Sequence, residues 1–278
     1  RAYVKLLLRT VPIRLLIHAR THRTGLIEAG QFLFLSGLTV MVIVIGARGL
    51  RYDWAWFRVP RYLLRVTDDG LVAGTLLEGL GVTLQISGIG LILAAGFGLI
   101  TALFRLSRSF TANIVAQVYL EAVRNTPLLI QLFIIYFVLA PIIDLSPFWS
   151  AVLALSLFEG AYASEIIRGS ILSIPRSQWE SCHTLGLSKP DTYRFVVLPQ
   201  AVRKILPPLT SQAVSLVKDS ALVSTIAISD LTMNGSATVS NTFLTFEIWF
   251  TVAAIYLVIN IFLSLLSSLL EKKVRILT

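Results

Sequence analysis

Long apolar runs separated by shorter polar ones alternate along the chain, and six of them reach membrane-spanning length. The runs at 29–47 and 79–104 contain no charged residue, and each is long enough to cross a hydrocarbon layer of about 30 Å as a helix. Four more are expected at 112–141, 148–171, 202–228 and 247–270. The third holds Glu121 and Arg124, the fourth Glu159, Glu165 and Arg168, and the fifth Lys218 and Asp219 besides an interruption at Pro207-Pro208. Spans that break or carry charge usually face a bundle interior or a cavity, because unpaired polar groups are costly against lipid. The pattern predicts an all-α integral membrane protein.

Composition agrees with it. Apolar residues make up 55% of the chain and charged residues 14%, well below the roughly one-quarter charged share of soluble domains. The net charge of +9 does not point to nucleic acid, since Lys and Arg lie between apolar runs and not in one patch; membrane lipid and topology control account for them. A single cysteine, Cys182, excludes an internal disulfide and a multi-cysteine metal site. The chain opens on Arg1, so N-terminal sequence is expected to precede it, and residues 1–23 carry too many basic groups for a cleavable signal peptide.

Orientation follows from the basic residues. Arg105 and Arg108, the group Arg176, Lys189, Arg194, Arg203 and Lys204, and the group Lys272, Lys273 and Arg275 fall on one side if six helices alternate, and that side is expected to be cytoplasmic, with both termini on it. Arg48, Arg51, Arg58, Arg61 and Arg65 disobey this parity. Their neighbours Tyr52, Trp54, Trp56, Phe57 and Tyr62 predict an amphipathic segment lying in the interface.

One polar interval stands out, Pro175 to Pro199, reading PRSQWESCHTLGLSKPDTYRFVVLP. Ser177 with Glu180 has the spacing of a capping box, and Gly186 is suited to the left-handed residue after a helix end. Ser188, ahead of Pro190 and Asp191, gives a second helix start. Two short helices joined at Gly186 and Leu187 are predicted. On local physics alone, Glu180 merely caps one helix and Gly186 merely ends it.

The wider spacing adds to that. Glu180-Ser181-Cys182, three residues, Gly186, nine residues, Val196, one residue, then Leu198-Pro199 resembles the E-A-A-x3-G-x9-I-x-L-P signature of ABC importer permease subunits. The flanking text is similar to one branch, the polar amino acid uptake permeases of histidine, glutamine and arginine importers. It does so through Thr83–Ser87, Glu121–Leu128, Gly160–Gly169, Ser173–Pro175 with Gln178–Glu180, Leu198–Ala201 and Lys218–Ser220. Ser181 and Cys182 replace the signature's alanines and Val196 its isoleucine, all near-conservative in size.

The resemblance implies a type I permease fold: a core of five helices over 71–272, an extra N-terminal helix and interfacial linker within 1–70, and a cytoplasmic tail at 273–278. It further implies a bacterial inner-membrane location. The EAA loop would place a coupling helix in a groove of an ATPase subunit, with Glu180, Ser181, Cys182, Gly186, Leu187, Leu198 and Pro199 as the coupling residues. The implied partners are an ATPase dimer, which would hold ATP and Mg, a second permease subunit, identical or homologous, and an extracytoplasmic amino acid-binding protein. Small residues at 181 and 182 suit close approach to a partner. Cys182 reads as a packing residue, not a redox switch.

Charges inside the bundle carry the remaining candidates. Glu121 with Arg124 and Glu165 with Arg168 are i,i+3 pairs, each read as a structural ion pair that neutralises itself on one helix. Lys218 and Asp219 are adjacent and need separate partners. Glu159 has no basic residue within a turn, and an intramembrane carboxylate of this kind is by default a functional candidate. With Asn125, Thr126 and the turn Lys218-Asp219-Ser220 it is expected to line the substrate path and to meet a substrate ammonium; the alternative is an ion pair with Arg124 or Lys218. Gly79, Gly81, Gly88 and Gly90 are read as close helix-packing positions. No phosphate-binding lysine loop follows them, so no cofactor and no ATP hydrolysis are expected in this chain. His18, His22 and His183 all lie in polar stretches, which leaves an intramembrane hydrolase without a base. An ion-coupled secondary transporter stays as the other reading.

Overall fold

The computed structural model describes residues 30–42, 44–46, 49, 52–68 and 70–275. Residues 1–23, Arg48 and Arg51, which entered the orientation argument, lie outside these. Arg1–Trp54 forms one unit, in which 30–42 and 44–46 are helical, and Ala55–Thr278 forms a second.

The second unit opens with a short 3-10 turn at Trp56–Arg58, a single helical turn at Pro60–Leu63, and an antiparallel pair of strands, β1 (Leu64–Thr67) and β2 (Gly70–Ala73). Helices follow: α1 (Thr75–Leu106), α2 (Phe110–Arg124), α3 (Leu128–Ile143) and α4 (Pro147–Leu172). After these come α5 (Arg176–Thr184), α6 (Leu198–Asp219), α7 (Leu231–Thr242) and α8 (Thr245–Arg275). Three described helices are long and apolar enough to span a membrane, namely α1, α4 and Thr245–Leu269 of α8; α2 and α3 together make a fourth, bent by 108°.

Two of the expected spans therefore differ. The third breaks at Asn125-Thr126-Pro127, because proline disfavours helical backbone in the residue before it. The chain satisfies the carbonyls this frees: Asn125 Nδ2 donates to Glu121 O at 2.8 Å, Thr126 Oγ1 to Ala122 O at 2.8 Å, and Gln131 Nε2 to Val123 O at 2.7 Å. The fifth does not break at Pro207-Pro208, which sit inside α6. Two successive φ angles fixed near the helical value continue the helix direction although two hydrogen bonds are lost. That helix carries Arg203, Lys204, Gln212, Lys218 and Asp219 and is not among the helices apolar enough to span a membrane.

Two π-helical segments have one cause. Ile134–Leu139 ends two residues before Pro141, and Thr192–Val197 ends two residues before Pro199. A proline ring clashes with the carbonyl four residues back and offers it no hydrogen; widening the preceding turn to a π-bulge relieves both.

Packing centres on α1 and α4, the most extensive helix pair. A Cβ built on Gly98 would stand 2.7 Å from Ala163 Cβ, and one on Gly160 would stand 2.8 Å from Phe97 Cβ, so glycine on each helix lets the backbones approach. A Cβ built on Gly79 would stand 2.6 Å from the Asp230 carbonyl oxygen, whereas one on Gly90 would make ordinary contact with Leu216 at 3.7 Å. Gly81 and Gly88 face open space and are not the packing positions their spacing predicts.

The two ends of the bundle are closed differently. At one end Ala102, Ile167, Ile171, Ile174, Val197 and Ala201 form an apolar cluster beneath α5. At the other, Leu76, Leu231, Leu244, Ile248 and Val252 pack together with Tyr62 and Leu63. There the fully buried Glu247 accepts from the Ala55 amide at 2.7 Å, Leu231 N donates to Thr83 Oγ1 at 3.1 Å, and Asp230 caps α7 through Met233 N at 2.8 Å. These polar ties fix the chain entering and leaving the core.

Candidate functional site: an exposed helical turn and a buried carboxylate

The interval 175–199 builds a hairpin held at its base. Helix α5 starts directly behind Pro175, with no side-chain cap, so Ser177 is already inside the helix and the predicted capping box does not form. Glu180 instead meets Arg176 at 3.3 Å. Both groups are exposed, and such a pair contributes about 0.5 kcal/mol or less; it does not fix the hairpin.

The turn at Gly186 does. Gly186 has φ +71°, its amide donates to His183 O at 3.0 Å, and the Leu187 amide donates to Cys182 O at 3.0 Å. That is the full Schellman arrangement, which requires a left-handed residue. Ser188 caps the following helix through the Asp191 amide at 3.3 Å, with Pro190 in the first turn. The second helix is not short, however: Lys189–Asp191 runs through the π segment into α6 and on to Ser220–Ile226. A push on the hairpin is thus a push on a bundle helix.

Within α5 the back face is anchored and the front face is free. Cys182 is the buried residue of this helix, 3% exposed, so it packs against its own chain; of the two small residues expected to admit a partner, only Ser181 faces outward. Trp179 meets Tyr193 edge-on at 5.3 Å, and Lys204 Nζ reaches back to Ser173 O and Oγ, each at 3.0 Å. Leu185, 78% exposed at the tip, was not singled out by the motif and joins Glu180, Ser181 and Gly186 on the open surface. Leu187 instead lines a cavity of about 340 Å³ with Arg108, Trp179, His183, Lys189, Thr192 and Tyr193. Leu198 and Pro199 sit at the start of α6 after the π turn.

Glu159 lies deep between α4 and α6, 1% exposed. Its Oε2 accepts from Gln212 Nε2, while Oε1 has no hydrogen-bond partner. Neither Arg124 nor Lys218 pairs with it, which removes the ion pair considered above. The Asp219 carboxyl lies within hydrogen-bonding reach of it. A cavity of about 230 Å³ opens beside the carboxylate, lined by Leu91, Ala94 and Ala95 of α1, Ala163 of α4, and Leu209, Thr210, Gln212 and Ala213 of α6. Gln212 was missed; the available signal was an amide among the polar residues of a proline-containing expected span.

The other path candidates divide. Lys218 lines a separate serine-rich cavity with Ser211, Ser215, Ser264, Ser267 and Ser268, and the Ser220 hydroxyl is buried against Val217 O at 2.8 Å. Asn125 and Thr126 cap the break after α2 and are not brought to the Glu159 cavity. The expected pair Glu121–Arg124 is also absent: Asn125 Nδ2 donates to Glu121 Oε2 at 2.7 Å, and the Arg124 guanidinium lies over the Tyr162 ring at 5.9 Å. A nearer hydrogen-bonding amide and an aromatic face hold the two charges apart. Glu165 does hold Arg168 at 3.0 Å, with Arg105 of α1 at 3.8 Å, so this carboxylate ties α4 to α1 as well.

Comparison with known proteins places this geometry. Residues 94–276 match the family described as the binding-protein-dependent transport system inner membrane component. The glutamine transport system permease protein GlnP of Escherichia coli (strain K12) is 36% identical over 233 residues, covering 82% of this chain and all of that one. The L-cystine transport system permease protein TcyB of Bacillus subtilis (strain 168) is 40% identical over 217 residues, 77% of this chain and 91% of that one. A crystal structure described as an amino acid ABC transporter with histidines superposes with a TM-score of 0.68 at 34% identity, over 72% of this chain and 94% of that one. An inward-facing form of the MetNI methionine ABC transporter shares the fold, with a TM-score of 0.63 at 18% identity over 72% and 96%. None of these supports an ion-coupled secondary transporter. The chain belongs to the binding-protein-dependent inner membrane component family: it is a multi-pass permease subunit of an ABC importer.

Proposed function

We propose that this subunit, paired with a second permease subunit, identical or homologous, forms an alternating-access path for amino acids across the bacterial inner membrane. An extracytoplasmic amino acid-binding protein delivers the substrate. ATP and Mg bind in a dimer of separate ATPase subunits, and both termini of this chain lie in the cytoplasm. The observation that carries the reading is the Schellman turn at Gly186 on an exposed helix that continues, beyond the turn, into α6. Closure of the ATPase dimer moves α5, and the unbroken path from Lys189 to Ile226 transmits that movement as rigid-body rocking. Substrate and nucleotide shift the equilibrium by their differential affinity for the two states.

Substrate recognition falls to Glu159. A carboxylate with one oxygen tied to Gln212 and the other unpartnered beside a cavity has one acceptor left for an ammonium group. The Asp219 carboxyl beside it supplies a second acceptor, so that a cationic group is favoured over a neutral one by charge-assisted hydrogen bonding to the pair. Replacing Glu159 with Gln keeps the size and the hydrogen-bonding capacity but removes the charge. In reconstituted complex, Glu159→Gln is expected to lower uptake of lysine or arginine relative to glutamine at least tenfold. A preference equal to that of the unaltered complex would remove Glu159 from the path.

A further inference from the structure

The segment between Trp56 and Thr75 is absorbed neither by the coupling hairpin nor by the buried carboxylate. Its strands pair Leu64 with Ala73, Arg65 with Val72, Val66 with Leu71, and Thr67 with Gly70. Directly paired residues share a face and successive residues alternate. One face therefore carries Leu64, Val66, Leu71 and Ala73, all apolar, and the other carries Arg65, Thr67, Gly70 and Val72.

The polar face is tied to the bundle, where Arg65 meets Glu78 in the first turn of α1 at 3.0 Å. The apolar face covers nothing: Val66 is 86% exposed, Leu71 68% and Leu64 45%. A soluble surface rarely leaves such a face bare.

Its surroundings identify what lies against it. The hairpin passes through Gly74 straight into α1, and Arg65–Glu78 holds it alongside the first turn of that span, not beyond it. Trp56 stacks on Phe250 in the first turns of α8, and Phe57 is 83% exposed. Arg58, Arg61 and Tyr62 complete a belt of aromatic and cationic side chains at the level where two membrane helices begin, the composition that favours the headgroup boundary. In the first turns of α8 itself, Trp249 and Phe250 are exposed as well, at 39% and 55%.

We propose that the β1–β2 hairpin is an interfacial membrane anchor: it lays Leu64, Val66 and Leu71 on the leaflet at the end of the bundle opposite the coupling hairpin, while Arg65 turns back to Glu78. Such a face gains its binding from apolar area together with headgroup electrostatics. It steadies the entry to α1 without spanning the bilayer.

The test is a nitroxide accessibility scan on the assembled complex in liposomes of phosphatidylethanolamine and phosphatidylglycerol. Single cysteines at 64, 66, 67, 71 and 72 are introduced into a Cys182→Ala background. Labels at 64, 66 and 71 are expected to collide more with dissolved oxygen than with a water-soluble nickel chelate, and labels at 67 and 72 to show the reverse. Preference for the nickel chelate at both 66 and 71 would overturn the proposal by placing the face in water. Shielding of those two labels from both reagents would overturn it by placing another protein surface there. The readout does not depend on transport, so it stands apart from the outcome for Glu159.

Discussion

Gly186→Val is expected to abolish ATP-driven uptake, by more than tenfold, while leaving membrane insertion unchanged. At φ +71° a β-branched side chain is strained by about 1–2 kcal/mol or more. The chain escapes that strain by giving up the two hydrogen bonds from Gly186 N and Leu187 N, which together close α5. The turn then reopens, α5 loses its fixed angle to the Lys189–Ile226 path, and the ATPase subunit loses a rigid surface. Gly186→Asn provides the control, because asparagine adopts the left-handed region with little cost; it should retain most of the transport. Co-purification of the ATPase with each variant, together with uptake, separates uncoupling from misfolding. Normal uptake by the valine variant would show that the turn carries no coupling.

Gly98→Leu is expected to prevent stable assembly of the bundle. The added side chain enters a space where a single Cβ already lies 2.7 Å from Ala163 Cβ, 3.1 Å from Ser164 N and 3.2 Å from Gly160 O. Two of those three atoms are backbone, so nothing flexible can yield, and the overpacking costs about 1–3 kcal/mol or more. The melting temperature in detergent should fall by several degrees or the folded yield collapse. Gly98→Ala combined with Ala163→Gly should recover part of the loss, since it removes the nearest contact. Gly88→Leu on the same helix, with open space around it, should melt like the unaltered protein. A Gly98→Leu variant as stable as Gly88→Leu would contradict the close crossing of α1 and α4.

Much of the hairpin was legible because its signals are local. Gly186 and the Ser188–Pro190–Asp191 start depend on a few neighbouring residues, and each adopts the backbone its chemistry favours. The capping box at Ser177 and Glu180 failed for a local reason too: Pro175 supplies helical φ two residues earlier and takes the N-terminal position first. By contrast, the partner of Glu121 was decided at the helix's own end and that of Arg124 between helices. Spacing on one helix makes an i,i+3 pair possible, but Asn125 at the break and Tyr162 on α4 offer nearer alternatives. Glu165 kept Arg168, which at 3.0 Å stands nearer than Arg105 of α1 at 3.8 Å.

The apolar runs announced three spans, α1, α4 and α8, and misjudged two, for opposite reasons that both involve proline. Pro127 breaks a run by turning the residue before it away from helical backbone, and Asn125, Thr126 and Gln131 take up the freed carbonyls. Pro207 and Pro208 do not break theirs, since two successive prolines each hold φ near the helical value. Gln212 did not stand out from the other polar residues of its run because its importance lies in facing Glu159 across the α4–α6 boundary. The β hairpin was hidden by its shortness: strands of four residues give too few alternations to register against the aromatic and basic pattern around them.

The central claim, that this chain is the membrane path of an amino acid importer powered through its Gly186 hairpin, meets its most direct test in proteoliposomes. The permease is reconstituted with its ATPase and its binding protein, and radiolabelled amino acid uptake is measured with ATP inside, with and without a proton gradient. The account predicts uptake that requires ATP, persists when the gradient is collapsed, and stops in the Gly186→Val complex. Uptake driven by the gradient in the absence of ATP would contradict it.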